Sequence, residues 1–264
     1  MTLRKSPVDE SDSIDAAANA DFRERYGEPD LGPVCIVIAA YREHAAIGAV
    51  LDALPRTVHD RRVAVLVVDD GSDDGTADVA RAHGAFVSAA AFNRGQGAAL
   101  RLGYATAARH GAAFIVTTDA DGQYDPADIP TVLEPVLDGR ADFVSGSRRL
   151  GASYAGDGFR RLGVVFYAWV LRVLTRQPIT DPSFGLRAMR AEVPASVTLR
   201  QPQFQASELL IGAASRGFRI AEVPGRMRQR AAGASRKGPD LVYGARFGWV
   251  VVTTWLRERN HHTP

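Results

Sequence analysis

Residues 1–30 are polar with no sustained period, and the pattern changes abruptly at Pro33. From there apolar runs of strand length alternate with stretches of helical spacing. Val34–Ile38, Val63–Val68, Ala85–Ala89, Phe114–Thr118 and Asp142–Ser145 read as strands, mostly continuous in apolar character rather than alternating. Between them, Glu43–Leu54 carries Ile47, Val50, Leu51 and Leu54 at helical spacing, and Thr76–His83, Gly97–His110 and Pro126–Leu137 read as further helices. Buried strands alternating with helices predict an α/β fold with a mainly parallel sheet flanked by helices on both faces. Right-handed crossovers then bring the loops that follow the strands to one edge, where open α/β sheets bind ligands. The second half is less regular: helices are expected at Arg160–Leu174, Gln205–Arg216 and Leu241–Leu256, and a strand at Phe218–Val223. The expected organisation is a flexible leader over 1–30 with a short helix at Ile14–Tyr26, one domain over 31–237, and a C-terminal helix and tail over 238–264.

Composition narrows the class. The chain has 264 residues, 46% hydrophobic and 23% charged, which excludes disorder and fibres. Cys35 is the single cysteine, so neither an intramolecular disulfide nor a four-cysteine zinc site is available. A reducing compartment is implied. No basic start followed by an apolar run suggests a secretory signal, and no run of 18 apolar residues suggests a spanning helix. The expected location is the cytoplasm, with peripheral contact at the inner face of the membrane as the other setting. Net charge is only +2, but residues 69–142 hold twelve acidic and five basic residues, while 226–259 hold eight basic and two acidic. That segregation suits a site for a cation and phosphates together.

The acidic residues fall where the sheet places its ligand edge. Asp69-Asp70-Gly71-Ser72-Asp73-Asp74-Gly75-Thr76 follows the second strand, and helix capping explains one or two of these carboxylates but not the pair at the strand end. Asp70 is a candidate acceptor for a base or ribose. Thr118-Asp119-Ala120-Asp121-Gly122-Gln123 follows the fourth strand. Alternate residues of extended chain point the same way, so Asp119 and Asp121 can address one point, where like charges call for a cation. All-oxygen donors select Mg2+ or Mn2+. Gln123 offers a neutral oxygen, and Gly122 leaves room for a ligand. Gly95 and Gly97, after Arg94, suit either a loop beside a ligand or a plain helix start. P-loop, dinucleotide, HExxH and Gly-x-Ser-x-Gly patterns are absent from the sequence.

Together these motifs resemble a family 2 glycosyltransferase of the GT-A fold, in the branch of dolichyl- and polyprenyl-phosphate mannosyl- and glucosyltransferases. The resemblance runs from about Val34 to Lys237. It rests on Ile36–Glu43, Val67–Thr76, Asn93–Gly97, Thr118–Gln123, Gly146-Ser-Arg148, Asp181–Arg187 and Glu222-Val-Pro224 in order. The resemblance implies that Tyr41, Glu43 and Asp70 hold the nucleotide, with Ala39, Gly95 and Ala120 along the donor. Asp119, Asp121 and Gln123 would hold a metal on the donor diphosphate, and Arg148 would approach the phosphates or acceptor. Asp181, Arg187 and Glu208 would line the sugar or acceptor side, with Arg230, Ser235 and Lys237 in a basic closing loop. Arg42 stands where the family commonly has Asn, and Ser183-Phe-Gly-Leu-Arg187 is one residue longer than the family's Ser-Gly-Phe-Arg.

The implied reaction is inverting transfer from a UDP- or GDP-sugar to a polyprenyl phosphate, a saccharide or a small metabolite. A hydroxyl acceptor requires a general base, for which Asp181 and Glu208 are candidates. A lipid phosphate needs none and could pair with Arg148, Arg160 and Arg161, although Arg160-Arg161 reads more readily as an exposed helix start. Leu241–Leu256, with Trp249 and Trp255, fits a lipid-surface helix or core packing, and core packing is the stronger expectation. The competing readings are a sugar-nucleotide nucleotidyltransferase, which lacks its glycine-rich loop at Ala39–Glu43, and a nucleic-acid-binding module, which leaves the carboxylate turns without purpose. No nucleic-acid partner is expected.

Overall fold

The computed structural model describes residues 7–151, 158–228 and 240–259. After an N-terminal helix α1 (Pro7–Tyr26), the expected alternation follows: β1 (Val34–Ala40), α2 (His44–Ala53), β2 (Thr57–Val58), β3 (Arg61–Asp69), α3 (Thr76–Ala82), β4 (Phe86–Ala89), α4 (Gln96–Arg109) and β5 (Phe114–Asp119). A 3-10 turn at Pro126–Asp128 leads into α5 (Ile129–Leu137), then β6 (Phe143–Ser147), α6 (Gly158–Thr175), β7 (Arg187–Arg190), α7 (Glu192–Ser196), α8 (Gln205–Ser215), β8 (Ile220–Pro224) and α9 (Asp240–Glu258).

The strands form one eight-stranded sheet in the order β2-β3-β1-β5-β7-β6-β8, with β4 also on β3. β1 runs parallel to β3 and β5, β4 parallel to β3, and β8 parallel to β6. β7 lies antiparallel between β5 and β6. Its Arg-Ala-Met-Arg sequence contains no apolar run, which is why periodicity did not reveal it. β2 reaches β3 through a turn at His59 and Asp60, both at positive φ, the backbone of a tight hairpin.

Alternate residues of each central strand feed opposite faces. Cys35 and Val37 join Leu66, Val68 and Ile115 in one core with α1, α4, α8 and α9. Ile36 and Ile38 join Val67 and Val116 in the other, with α2 and α5. Burial pushes the Cys35 thiol up to about 12, so it packs as a small apolar residue without thiolate chemistry.

The leader departs from expectation. α1 extends well N-terminal of Ile14, and Ile14, Ala18 and Phe22 form a buried stripe at i, i+4, i+8. Phe22 lies wholly inside the core, and the Tyr26 hydroxyl accepts the Val87 amide at 3.2 Å. The apolar stripe is so narrow within a charged segment that composition concealed it.

Candidate functional site

One edge of the sheet collects the polar residues. β1, β3 and β5 run parallel, and the register sets Ala39 beside both Val68 and Asp119. Asp69 and Asp70 therefore end β3 at the level where Asp119 ends β5. β6 runs the same way as β5, so Ser147 and Arg148 emerge at this edge. β7 runs the other way and enters from it, with Arg187 opposite Thr117 and Ser145. Of the residues singled out by sequence, Ala39, Tyr41, Glu43, Asp70, Gly95, Asp119, Ala120, Asp121, Gln123, Arg148, Asp181 and Arg187 lie at this edge or in the loops leaving it.

The loops are tied to one another. Arg42 adopts φ of +55°, the left-handed region that Asn enters more readily than most side chains. Arg42 donates its amide to Ser72 Oγ at 2.9 Å and grips Asp73 with Nε and Nη2 at 2.8 and 2.6 Å. The Glu43 amide donates to Thr76 Oγ1 at 2.9 Å. The Arg at this position thus works outward, clasping the β1–α2 loop to the β3–α3 loop.

Asp69 and Asp70 are buried, and burial raises both carboxyls above the ordinary range despite the hydrogen bonds they accept. Asp69 holds Ser72 by its amide and hydroxyl. Asp70 Oδ2 accepts the Arg94 and Gly95 amides at 2.8 and 2.7 Å, and Oδ1 has no hydrogen-bond partner. Asp70 therefore shapes the loop into α4 rather than standing wholly open to a base or ribose. The α4 start is also fixed from the other side: a methyl at Gly97 would drive into the Gln201 carbonyl, and the Gly97 amide donates to Pro202 O at 2.9 Å. From α1, Asp15 accepts Arg94 Nη1 at 2.6 Å and Arg101 Nη2 at 3.3 Å. We expect Asp15→Ala to destabilise the fold by about 1–3 kcal/mol, because two largely sheltered guanidinium groups lose a partner. Nucleotide affinity should weaken with it; a denaturant midpoint equal to wild type would remove Asp15 from the loop's support.

At the β5 end, Asp119 Oδ1 accepts Gln96 Nε2 at 3.1 Å, and Asp121 Oδ1 accepts the Gln123 amide at 3.0 Å. The Gln123 backbone carbonyl accepts the Arg228 amide at 2.7 Å, and Gln123 Nε2 faces the Arg228 carbonyl at 3.5 Å. Among the described residues no group of three or more His, Cys, Asp or Glu side chains converges to hold a metal. Asp119 and Asp121 could supply two oxygen donors, a set that suits Mg2+ or Mn2+ if phosphate oxygens or water complete the shell.

Beside them Arg148 clamps Asp181, which is 0% exposed. Arg148 Nε and Nη2 donate to the two Asp181 oxygens at 2.6 and 2.7 Å, and the Arg148 amide adds a third bond at 3.2 Å. Both Asp181 oxygens are thus taken up by donors, the Ser183 hydroxyl adding a bond to Oδ1 at 3.1 Å, which counts against Asp181 as a base open to an acceptor hydroxyl. Glu222 fixes the approach by accepting the Thr180 and Asp181 amides at 2.8–3.0 Å. Arg187, expected to meet phosphate or acceptor, is buried with Nη2 on the Pro182 carbonyl at 3.3 Å. Burial pulls its guanidinium below the ordinary value, opposed by Tyr104, Tyr124, Asp119 and Asp181. It is a fixed charge beneath the edge.

Glu208, the other candidate base, is 0% exposed in the first turn of α8. Oε2 accepts the Arg200 and Gln201 amides, both at 2.9 Å, and Oε1 accepts Arg257 Nη2 at 2.9 Å. Its position holds the loop before α8 against α9. We expect Glu208→Gln to lower stability by about 2–3 kcal/mol, since a buried charge pair is broken, while transfer at permissive temperature stays within a few-fold. A variant of wild-type stability but no turnover would restore Glu208 as a base. Arg160 lies in α6 with its side chain outside the described residues, as are Arg230, Ser235 and Lys237 altogether.

Sequence reasoning missed several supports. Gln96 was overlooked because it sits between the two glycines that drew attention. Asp128 takes Arg226 by Nε and Nη2 at 3.0 and 2.6 Å, and Asp125 takes Arg228 at 2.8 Å, closing the 224–228 segment onto the turn after Asp121. Charge segregation hinted at such pairs without naming partners.

The description Glycosyl transferase family 2 matches residues 35–193. The chain is 34% identical over 226 residues to a dolichyl-phosphate hexose transferase of Haloferax volcanii, covering 86% of this chain and 95% of that one. It is 32% identical over 232 residues to a polyprenol monophosphomannose synthase of Mycolicibacterium smegmatis, covering 80% and 83%. In fold it is similar to glucosyl-3-phosphoglycerate synthase of Mycobacterium tuberculosis, solved with Mn2+, uridine diphosphate and phosphoglyceric acid, at a TM-score of 0.64, 23% identity and 91% and 82% coverage. With the site at the carboxyl edge of a sheet of this topology, the chain belongs to glycosyl transferase family 2 and is a glycosyltransferase of the GT-A fold.

Proposed function

We propose that the protein is a metal-dependent, inverting transferase that moves a sugar from a UDP- or GDP-sugar to a polyprenyl phosphate. The observation that supports this reading is that Asp119 and Asp121, at and just after the end of β5, and Arg148, just after β6, lie at the same edge of the sheet. The acceptor class comes from the relatives named for dolichyl and polyprenyl phosphates. The metal is supported by the oxygen donor set and by the Mn2+ in the structurally similar synthase.

Asp119 and Asp121 would hold the ion, and Tyr41, Glu43 and the loop shaped by Asp70 would seat the nucleotide. Bound there, the ion supplies positive charge against the leaving diphosphate. Arg148, oriented by Asp181, presents its charge where anionic groups gather, so less reorganisation is needed as charge develops. A phosphate acceptor is already an anion, and that agrees with Asp181 and Glu208 both being engaged by guanidinium groups. Membership of a glycosyltransferase family displaces the nucleotidyl-transfer and nucleic-acid readings.

The test is a thermal-shift panel of nucleoside diphosphates with and without Mn2+. A ligand at about 100 times its Kd stabilises the native state by about 2.7 kcal/mol. UDP or GDP with metal should raise the melting temperature by several degrees, and EDTA should cancel most of the rise. Shifts that ignore both metal and nucleotide would defeat the proposal.

A further inference from the structure

α6 and α9 lie side by side over the core. Tyr167 packs on Phe247 with ring centroids 4.5 Å apart, and its hydroxyl donates to the Gly244 carbonyl. Further along, Trp255 Nε1 donates to the Leu174 carbonyl at 3.2 Å. These contacts advance together along both helices, so the helices run in the same direction and Trp169 and Trp249 fall at one level. Inward, Leu171, Phe247 and Val251 are buried in the core.

Outward, both helices are apolar. α6 exposes Val165, Phe166, Trp169 and Val173; α9 exposes Trp249, Val252 and Leu256. Trp169 is 61% and Trp249 71% exposed, far more than tryptophan tolerates in water without a reason. Core packing, the stronger expectation for α9, accounts for its inner face only. The charged residues set among these positions are basic: Arg172 and Arg176 on and just after α6, Arg246 and Arg259 on and just after α9, all exposed. Between Val165 and Val173 there is no acid, and between Arg246 and Arg259 the one acid, Glu258, is buried and held by Arg216 and Arg257.

We propose that this face is the surface by which the protein rests on an anionic phospholipid bilayer. Indole rings at the headgroup level beside arginines are the chemistry of an interfacial helix, and each exposed arginine adds attraction to anionic lipid. A second copy is the poorer occupant, because pairing the face with itself would set arginines against arginines. Among the described residues no helix is long and apolar enough to cross a membrane, so the contact is one of lying on the surface.

The experiment is co-sedimentation of the full chain with phosphatidylglycerol or phosphatidylcholine vesicles containing no polyprenyl phosphate. Binding is expected to the anionic vesicles, weakening as salt rises, with a blue shift of tryptophan emission. Trp169→Ser with Trp249→Ser should reduce vesicle binding at least about tenfold, since two large apolar surfaces are removed. Nucleotide-dependent thermal shift should be unchanged in that variant. Absence of sedimentation, undiminished binding by the double variant, or a solution dimer that the variant dissociates would each overturn the surface. Loss of the surface with intact nucleotide shifts would leave the transferase reading standing, and vesicle binding without any nucleotide shift would sink that reading alone.

Discussion

Asp121→Ala should reduce metal-dependent transfer by about 10²–10³-fold while leaving the fold intact, the scale of losing one preorganised electrostatic group. The carboxylate is buried two positions beyond Asp119, the last residue of β5, and it accepts the Gln123 amide. Losing that bond costs about 1 kcal/mol, offset in part by relieving repulsion from Asp119. Without metal, the melting temperature of the variant should sit close to wild type. With Mn2+ and a nucleoside diphosphate the two should part, wild type gaining stability and the variant gaining little. Asp121→Asn sharpens the test, because its amide oxygen still accepts the Gln123 amide while its charge is gone. Equal metal-dependent turnover in both variants would remove Asp121 from the mechanism, and the ion with it.

The legible part of this site was the part written in consecutive residues. Apolar runs announced the parallel strands, and the carboxylates that follow them announced the ligand edge, because strand direction and crossover handedness leave that edge little choice. What stayed hidden depends on residues far apart in sequence. Asp181 and Glu208 carry the residue type of a general base, and only their partners, Arg148 and Arg257, show that both are held as ion pairs. β7 escaped because its sequence is half arginine, and one of those arginines, Arg187, is buried by its neighbours rather than by its own hydropathy. α1 looked like solvent-facing chain until Phe22 found its pocket. Sequence periodicity reports what a segment prefers, whereas these roles are set by what it meets.

Arg148 offers the means to separate holding from catalysis. Arg148→Ala would leave the fully buried Asp181 with the residue-148 amide and the Ser183 hydroxyl as polar contacts, the latter at 3.1 Å. Breaking one side of a buried pair costs about 3–5 kcal/mol; Arg148 is 21% exposed, so the lower end is expected. Asp181→Asn on its own should cost less, since its amide oxygen still accepts the residue-148 backbone amide and no lone carboxylate is left behind. The double variant Arg148→Ala/Asp181→Asn should be more stable than Arg148→Ala alone by about 2 kcal/mol, because the stranded charge is gone. Activity should not follow. If the guanidinium acts on a phosphate, transfer in the double variant stays about 10²-fold or more below wild type, and the deficit appears in kcat as well as in donor KM. Recovery of turnover together with stability would instead make Arg148 a strut for Asp181, and the charge facing the phosphates would have to come from another residue of this edge.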